Sequence, residues 1–428
     1  MESIFHTLDC IQNPSSSFWQ KLPSHHYENL LSNTLHSGSL MLQIPHKGLK
    51  SKKCVLINSS IYLLSKYKIP KYKSNINWKI LEPFQETVEN TTRYGFRLYG
   101  NSLQDFYTPS REDLNIWIQK LSNICILNSF EEDFLIIREL NKGSSALVKL
   151  CQSTEDSTQY VVKIINKNFL FLKPNLFQQI TQEISVLRKT DHPNIVKLFR
   201  VYESDENVSL IMEYLPYGDG QQYLSKQKRV SESKALCIIT QILRALEYLH
   251  KNHFVHRDLK LENFAFVDPN FENLKLIDFG LSSKTDFDLT ERCGTVGYTA
   301  PEILRGALYN FKVDLFSVGV ILYILISGKV LFEGKKSEEI LKKNWECEFK
   351  LASSVVKGIG KETLRVLKSL LNADPDIRMN SADALKSFER IVCGSSVYIV
   401  KNSDYAKDIS GHYQRVVYKS PIVRKFNC

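Results

Sequence analysis

The stretch VHRDLKLENF, residues 255–264, constrains this chain more than any other part of its sequence. Asp258, Lys260 and Asn263 place a carboxylate, a cation and an amide within six residues, and LKLIDFGLSS then adds the carboxylate of Asp278. The segment YTAPEIL follows at 298–304. Transfer of a phosphoryl group needs such a set, because it requires a carboxylate to orient a hydroxyl, a cation near the phosphate and oxygen ligands for a metal ion.

This ordered set resembles the catalytic core of the protein kinases, over the roughly 260 residues from 133 to 392. The resemblance implies an α+β, bilobal kinase fold that uses ATP and Mg²⁺. It implies that Asp258 and Lys260 are catalytic and that Asn263 and Asp278 bind Mg²⁺. HRDLK is the serine/threonine form of its motif, which implies transfer of the γ-phosphate of ATP to protein Ser or Thr.

The residues that the resemblance assigns to the nucleotide lie within the same 260 residues, most of them before the stretch VHRDLKLENF. Lys163 lies in the apolar strand YVVKII and needs an anionic partner there, which we expect to be Glu183. The hinge-like segment LIMEYLPYGDG places Met212 behind the adenine, with the backbone of Glu213 and Leu215 beside it. The other predicted members of the ATP site are Leu140, Asn141, Lys142, Gly143, Ser144, Ser145, Ala146, Leu147, Val148, Val161, Asp219 and Ala265.

The predicted phosphate loop, ELNKGSSALVKL, keeps one of the three glycines of the family motif G-x-G-x-x-G. Asn141 and Ala146 replace the outer two, and Gly143 is retained. Asn tolerates unusual backbone angles best among non-glycine residues, so we expect a stiffer lid and weaker ATP affinity, not a lost site. Val161 is larger than the Ala that is usual above the adenine, and Ala265 is smaller than the Leu that is usual below it. The two changes nearly offset in side-chain volume.

Scaffold positions of the same family are also matched. Asp314 in VDLFSVG matches the residue that caps the catalytic loop, and Arg378 in DPDIRM matches the partner of Glu302. Side chains that align the two lobes in active members match Leu187, Leu198, His256 and Phe279.

Within the family, the segments 262–283 and 314–335 look most like calcium/calmodulin-dependent and calcium-dependent kinases. The order of domains resembles protein kinase B instead, because residues 36–127, described below, look like a lipid-binding domain placed ahead of the kinase. The tail, however, has no F-x-x-F motif. Asp219 and Glu262 match acidic positions that bind a basic residue at P−3 of the substrate, although Asp219 could instead hold the ribose. A weakly active pseudokinase scaffold stays open as the alternative function.

The loop before APE carries an unusual acidic residue. In relatives ending in C-G-T, a phosphorylated Thr lies three residues before the glycine, and here that position is Glu291. The phosphate normally pairs with the arginine of H-R-D, which is Arg257. We expect Glu291 to take the role of the phosphate, because a carboxylate can accept two hydrogen bonds from a guanidinium. Two alternatives stay open: Glu291 is a solvated loop residue, or the neighbouring Thr290 is phosphorylated instead.

Residues 36–127 show short β-type runs followed by one helix. Ser110 with Asp113 marks the helix start, and Trp117 lies on its apolar stripe. This pattern resembles a pleckstrin-homology domain, so we expect a small β-barrel or sandwich closed by a C-terminal helix. We predict a flexible leader at 1–35 and a basic tail at 393–428.

No Asp or Glu occurs between Asn29 and Leu81, whereas lysines are frequent there. Such a block favours an anionic partner. In lipid-binding pleckstrin-homology domains the first two strands and their loop contact phosphoinositides, and Lys47, Lys50, Lys52 and Lys53 occupy those positions. We therefore expect contact with phosphoinositide or anionic membrane and no nucleic-acid partner, with a solvated Lys-rich face as the alternative.

Composition sets the expected location. Nine cysteines without a C-x-x-C pair argue against a zinc site or a disulfide framework. The start MESIFHTLDC lacks the features of a signal peptide, and the longest apolar run, 315–328, is too short for a bilayer span. We expect a cytoplasmic protein that associates with the membrane only peripherally.

Overall fold

The computed structural model describes residues 3–13, 17–23, 31–44, 48–143, 146–285 and 287–394. Lys47, Ser144, Ser145 and the predicted tail beyond residue 394 lie outside these residues. The chain has three parts along its length: an N-terminal module up to Leu121, a small mainly β lobe from Ile126, and a larger mainly helical lobe.

The N-terminal module is an antiparallel sheet with one short helix before it and one after it. Its elements are α1 (His6–Gln12), β1 (Gln20–Lys21), β2 (Thr34–Ile44), β3 (Gly48–Ile57), β4 (Ser60–Leu64), β5 (Pro70–Asn75), β6 (Ile80–Val88), β7 (Thr91–Tyr99), β8 (Leu103–Thr108) and α2 (Arg111–Leu121). Ser110 caps α2 by accepting a hydrogen bond from the Asp113 backbone N–H, as the sequence predicts. Trp117 is buried against Phe96, so α2 covers the core of the module.

The prediction of a flexible leader over residues 1–35 is wrong for residues 3–13. Phe5 is fully buried, and Asp9 forms a buried ion pair with Lys79 at 2.9 Å. Lys79 belongs to the basic block that predicted an anionic partner outside the chain, but its partner is internal. A buried cation needs such a carboxylate, and the pair fixes α1 against the sheet.

The small lobe continues the same sheet. Its elements are β9 (Ile126–Leu127), α3 (Phe130–Asp133), β10 (Phe134–Lys142), β11 (Leu147–Ser153), β12 (Gln159–Asn166), α4 (Lys167–Leu172), α5 (Pro174–Leu187), β13 (Leu198–Glu203) and β14 (Asn207–Glu213). The strand order is β1-β5-β4-β3-β2-β8-β7-β6-β9-β13-β14-β12-β11-β10. Ile126 pairs in parallel with both Ile80 and Val201, so β9 joins the N-terminal module to the small lobe.

The large lobe packs around one buried helix. Its elements are α6 (Gly220–Gln227), α7 (Glu232–Lys251), β15 (Phe254–Val255), β16 (Phe264–Phe266), β17 (Leu274–Leu276), β18 (Ser283–Lys284), α8 (Pro301–Arg305), α9 (Lys312–Ser327), α10 (Ser337–Glu346), α11 (Ser353–Gly358), α12 (Lys361–Leu370) and α13 (Ser381–Gly394). Residues 313–326 of α9 are all buried. A helix that is apolar on every side is a core helix. None of the helices in the described residues is long and apolar enough to cross a membrane.

Candidate active site

The loop between β15 and β16 is fixed by one buried carboxylate from α9. Asp314 accepts hydrogen bonds from the backbone N–H groups of His256 at 2.9 Å and Arg257 at 2.8 Å, and its Oδ2 lies 2.8 Å from Nε2 of His250. Burial acts to raise the pKa of Asp314, but hydrogen bonding and the charge of His250 outweigh it and lower the pKa. The loop needs this support because Arg257 has a positive φ of 68°, which is strained for a side chain of its size.

The loop directs Asp258 into a dense hydrogen-bond network. Oδ2 of Asp258 accepts from Nζ of Lys260 at 2.8 Å and from Nδ2 of Asn263 at 3.1 Å. Oδ1 accepts from the hydroxyl of Thr295 at 2.6 Å, and Lys260 also donates to that hydroxyl at 3.0 Å. Sequence reasoning did not single out Thr295, although it is the Thr of the quoted C-G-T. The network holds the Asp258 carboxylate in one orientation.

Asp278 and Asn263 present oxygen atoms beside this network. Oδ1 of Asp278 accepts from the Gly280 backbone N–H at 3.0 Å and lies 3.9 Å from Nζ of Lys163. Burial acts to raise the pKa of Asp278, but the charge of Lys163 and the Gly280 N–H outweigh it and lower the pKa. Because Nδ2 of Asn263 donates to Asp258, Oδ1 of Asn263 is the atom left for a cation.

These donors fit Mg²⁺ that arrives with a nucleotide. Mg²⁺ prefers carboxylate and carbonyl oxygens, and it is usually bound through one or two protein groups plus phosphates and waters. Across the described part of the chain, no cluster of three or more His, Cys, Asp or Glu side chains could hold a metal ion. A site of two protein ligands completed by phosphates agrees with both observations.

Lys163 of β12 and Glu183 of α5 form the ion pair that the sequence predicts. Nζ of Lys163 lies 2.8 and 2.9 Å from the two carboxylate oxygens of Glu183, which is almost fully buried. Burial acts to lower the pKa of Lys163, but the carboxylates of Glu183 and Asp278 outweigh it and raise the pKa. The ammonium is therefore charged, and it lies between α5 and the Asp278 carboxylate.

The predicted phosphate loop joins β10 to β11. The Gly143 N–H donates to the Ala146 carbonyl at 2.9 Å, which closes the turn. Asn141 lies in β10 opposite Val148 and is not among the residues with positive φ. The expectation that Asn141 supplies an unusual backbone angle is therefore wrong, although the pairing of β10 with β11 shifts register between Glu139 and Asn141. The flanking predicted residues Leu140, Lys142 and Leu147 also lie in these two strands.

The predicted adenine pocket lies where β14 leaves the small lobe. Val161 pairs with Met212 across β12 and β14, and Met212 and Ala265 are both buried. Glu213 ends β14, with its carboxylate 2.8 Å from Nζ of Lys275, and Leu215 follows in the connection.

Asp219 has a role that sequence reasoning missed. Its Oδ1 accepts the Gln222 backbone N–H at 2.7 Å, so Asp219 caps α6. The signal was available, since Asp is a favoured residue immediately before a helix. One carboxylate oxygen of Asp219 is thus already used within the chain.

The segment between Gly280 and α8 contacts the catalytic loop through Arg257. Nη1 of Arg257 lies 2.9 Å from Oε2 of Glu291 and 3.1 Å from the Tyr309 hydroxyl, while Nε donates to the Leu281 carbonyl at 2.6 Å. The predicted contact between Arg257 and Glu291 is therefore present.

Two other predicted contacts hold the large lobe together and align it with the small one. Arg378 and Glu302 form a buried two-point pair with distances of 2.5 and 3.0 Å. The rings of His256 and Phe279 lie 5.1 Å apart, and Leu187 and Leu198 are buried in the same core cluster as Phe279.

Comparison with known proteins agrees with this geometry. The family model described as protein kinase domain matches residues 134–388, more than half of the chain. Similar proteins include a Plasmodium falciparum protein named "Probable serine/threonine-protein kinase 2", 35% identical over 304 residues, which are 70% of this chain and 59% of that protein. Calcium-dependent protein kinase 4 of Plasmodium berghei is 34% identical over 261 residues, 60% of this chain and 49% of its own length.

A mammalian relative gives the same result. Calcium/calmodulin-dependent protein kinase type IV of Mus musculus is 34% identical over 286 residues, 65% of this chain and 59% of its own length. The chain thus spans about half to three fifths of the length of these relatives. On the family match and the assembled site, the chain belongs to the protein kinase family.

Proposed function

We propose that this chain is a serine/threonine protein kinase that transfers the γ-phosphate of ATP to protein Ser or Thr. The observation that carries the proposal is that Lys163 lies between two carboxylates, 3.9 Å from Asp278 and 2.8 Å from Glu183. The serine/threonine kinase name of the Plasmodium falciparum relative supports the substrate class.

Each polar residue of the site has a task in this reaction. Asp258 accepts a hydrogen bond from the substrate hydroxyl and so orients it. Lys260 and Thr295 hold the Asp258 carboxylate in place. Lys163 binds the α- and β-phosphates, and Glu183 holds Lys163 in place. Asn263 and Asp278 would hold Mg²⁺, which when bound neutralises charge on the phosphate oxygens.

Gly143 supports a nucleotide at the loop. Among the described residues, a Cβ built on Gly143 would meet the Ala146 carbonyl oxygen at 3.4 Å and nothing closer, so these residues tolerate a side chain there. The glycine is then best explained by the close approach of a phosphate. We propose that Leu140–Val148, Val161, Met212, Glu213, Leu215 and Ala265 enclose ATP, with affinity weakened by the loss of two loop glycines.

The test is transfer of labelled phosphate from Mg-ATP to the full chain and to Ser/Thr peptides. We expect incorporation that disappears when EDTA removes Mg²⁺, because Asn263 and Asp278 supply only part of the metal coordination. No incorporation above the EDTA control would contradict the proposal and indicate the pseudokinase scaffold.

We propose that the enzyme prefers a basic residue at P−3 of its substrate. Glu262 is exposed beside Asn263, a proposed Mg²⁺ ligand, whereas Asp219 uses one oxygen to cap α6. Glu262 is therefore the stronger candidate for contact with an arginine.

In a peptide library we expect a P−3 arginine preference that Glu262→Ala reduces about tenfold, because charge-assisted hydrogen bonds are the strong kind. The matched control is Glu155→Ala, which removes an exposed carboxylate from a turn of the small lobe. A library without P−3 preference, or one that Glu262→Ala leaves unchanged, would refute the assignment.

We also propose that the N-terminal module is pleckstrin-homology-like and binds anionic membrane. Lys50, Lys52 and Lys53 are exposed on β3. Cys54 pairs with Leu63 in β4, so this end of β3 lies beside the β4–β5 connection. That connection exposes Tyr67 and Ile69 between lysines. Exposed apolar side chains among cations are suited to an anionic lipid surface.

Vesicle sedimentation tests this proposal. Lys50 and Lys52 share one face of β3 and contribute about 1 kcal/mol each before screening, so we expect Lys50/Lys52/Lys53→Ala to weaken binding about tenfold at physiological salt. The control Lys335/Lys336/Lys342→Ala removes the same charge from exposed positions of the large lobe. Equal binding to neutral vesicles, or an equal loss in the control, would refute the electrostatic account.

A further inference from the structure

Helix α5 is held from outside the catalytic domain. It carries Glu183, whose contact with Lys163 depends on where the helix lies. In protein kinases this ion pair must be in place for phosphoryl transfer, and the position of the helix controls it. Contacts that fix α5 therefore act on the reaction.

Two contacts lie at opposite ends of the outer face of α5. Phe177 and Arg188 are eleven residues apart, or about three turns, so they share one stripe about 16 Å long. Glu183 lies roughly 120° or more around the helix from this stripe, on the side that contacts Lys163. Phe5 meets Phe177 with ring centroids 6.4 Å apart. Contacts at both ends of one stripe fix the tilt of the helix as well as its position.

Arg188 forms the stronger of the two contacts. Nη1 donates to Oδ1 of Asn77 at 3.0 Å and also to its carbonyl, Nη2 donates to the Cys125 carbonyl at 2.8 Å, and the guanidinium lies 5.5 Å from the Trp78 ring centroid. Within the described residues, every hydrogen-bond acceptor of this guanidinium precedes residue 134, where the catalytic domain begins.

Withdrawing these acceptors would be costly. Burial, opposed by Cys125, lowers the pKa of Arg188 to about 10, so the guanidinium is charged at neutral pH. A buried charge that loses its partners is strongly destabilising. The helix end that carries Arg188 is therefore tied to Asn77 and Cys125.

The acceptor segment is itself fixed by residues that precede it. Phe5 stacks on Trp78 with centroids 5.2 Å apart and ring planes 19° apart. Asp9 pairs with Lys79, the residue after Trp78, and both are buried. The loop that receives Arg188 is thus contacted by Phe5 and by Asp9 of α1.

A third connection reaches the small lobe directly. Oε1 of Glu203 accepts the Ile4 backbone N–H at 2.8 Å, and its carboxylate also accepts the Ser3 hydroxyl. Oε1 of Glu203 also lies 2.7 Å from Nζ of Lys167, the residue that directly follows the strand carrying Lys163. Residues 3–5 therefore link the end of β13, the start of α4 and the outer face of α5.

We propose that the N-terminal module is a built-in positioning device for α5, and that Arg188 is the positioning residue that couples it to the Lys163–Glu183 ion pair. The module contacts neither the substrate nor the nucleotide in this role. It keeps Glu183 turned toward Lys163, so the Lys163–Glu183 ion pair is kept formed without a second protein. The inference rests on the proposed function of Lys163 and Glu183 in ATP use.

The first test compares Arg188→Ala in two full-chain backgrounds. In the wild type we expect kcat/KM for ATP to fall by roughly 5- to 150-fold, the usual range of coupling between sites. In the Glu183→Gln background we expect a further fall of less than about twofold, because the pair is already broken and the effects are not additive. Arg188→Lys should recover part of the activity, since it keeps a charged donor.

A merely structural role for Arg188 predicts a different pattern. Loss of general stability would lower activity equally in both backgrounds. An equal fall in both, or no fall in the wild type, would overturn the inference.

The second test does not depend on activity. Hydrogen exchange of residues 174–187 should be faster in Arg188→Ala and in Phe5→Ala, while α7 exchanges as in the wild type. Arg97→Ala is the control, because Arg97 pairs with Asp105 and Glu82 inside the N-terminal module. Unchanged exchange of α5 in both variants would refute the inference. A wild type without phosphoryl transfer would refute the proposed function alone.

Discussion

Asp278→Asn is expected to lower autophosphorylation roughly a thousandfold, the scale on which one preorganised electrostatic group acts. The carboxylate lies 3.9 Å from Lys163, and its lowered pKa keeps it charged at neutral pH. Asn keeps an oxygen that can accept the Gly280 N–H, so local structure should survive while the negative charge that we propose for Mg²⁺ binding is lost. The measurement is the initial rate of label incorporation from Mg-ATP at several Mg²⁺ concentrations.

The matched control is Asp191→Asn. Asp191 is exposed, and the substitution makes the same chemical change away from the site. Its rate should equal that of the wild type. The unfolding temperature of Asp278→Asn should lie close to those of the wild type and of Asp191→Asn. A rate for Asp278→Asn within about tenfold of the wild type would contradict the assignment of Asp278 as a metal ligand.

The contacts that could be predicted from the sequence join residues of recognisable short motifs. Glu183 and Lys163 are twenty residues apart, and their meeting at 2.8 Å follows from a lysine in an apolar strand and a carboxylate on α5, the second helix after that strand. The contacts of Asp314 and Arg378 were predictable because each residue lies in a segment that resembles a kinase motif. Asn58, with a φ of 50°, lies in the turn between β3 and β4, a kind of position that Asn tolerates well.

The contacts that could not be predicted join residues without local pattern. Nothing near Asp9 indicates that its partner is Lys79, seventy residues away. The sequence around Lys79 has the composition of a solvated basic surface, whereas the structure buries this lysine completely. Long-range pairs of this kind depend on how the sheet brings separate segments together, which periodicity does not report.

The Glu291→Ala variant is expected to lose activity by roughly 10- to 100-fold, the range for hydrogen bonds to charged groups. Glu291 is 61% exposed on its side chain, so solvent screening places the effect toward the lower end. Arg257 is almost fully buried, and without Glu291 it keeps only the Leu281 carbonyl and the Tyr309 hydroxyl among its described partners. The residue anchors the segment that also positions Thr295 against Asp258.

The proposed reason is that Glu291 replaces a phosphorylated Thr. A carboxylate carries one charge where a phosphate carries nearly two, so the segment is held without modification, though less strongly. Purified wild type treated with a phosphatase should therefore keep most of its activity. Thr290→Ala should also keep most of it, because Thr290 is exposed and lies beside the Glu291–Arg257 contact without taking part in it.

Glu291→Gln separates charge from shape, since it keeps an oxygen that can accept from Nη1 of Arg257. We expect activity between that of the wild type and Glu291→Ala, with the wild type alone losing rate as salt screens the ion pair. Loss of activity after phosphatase treatment, or in Thr290→Ala, would show that a phosphate holds the segment. Full activity of Glu291→Ala would show that Glu291 is a solvated loop residue, because its contact with Arg257 would then contribute nothing to catalysis.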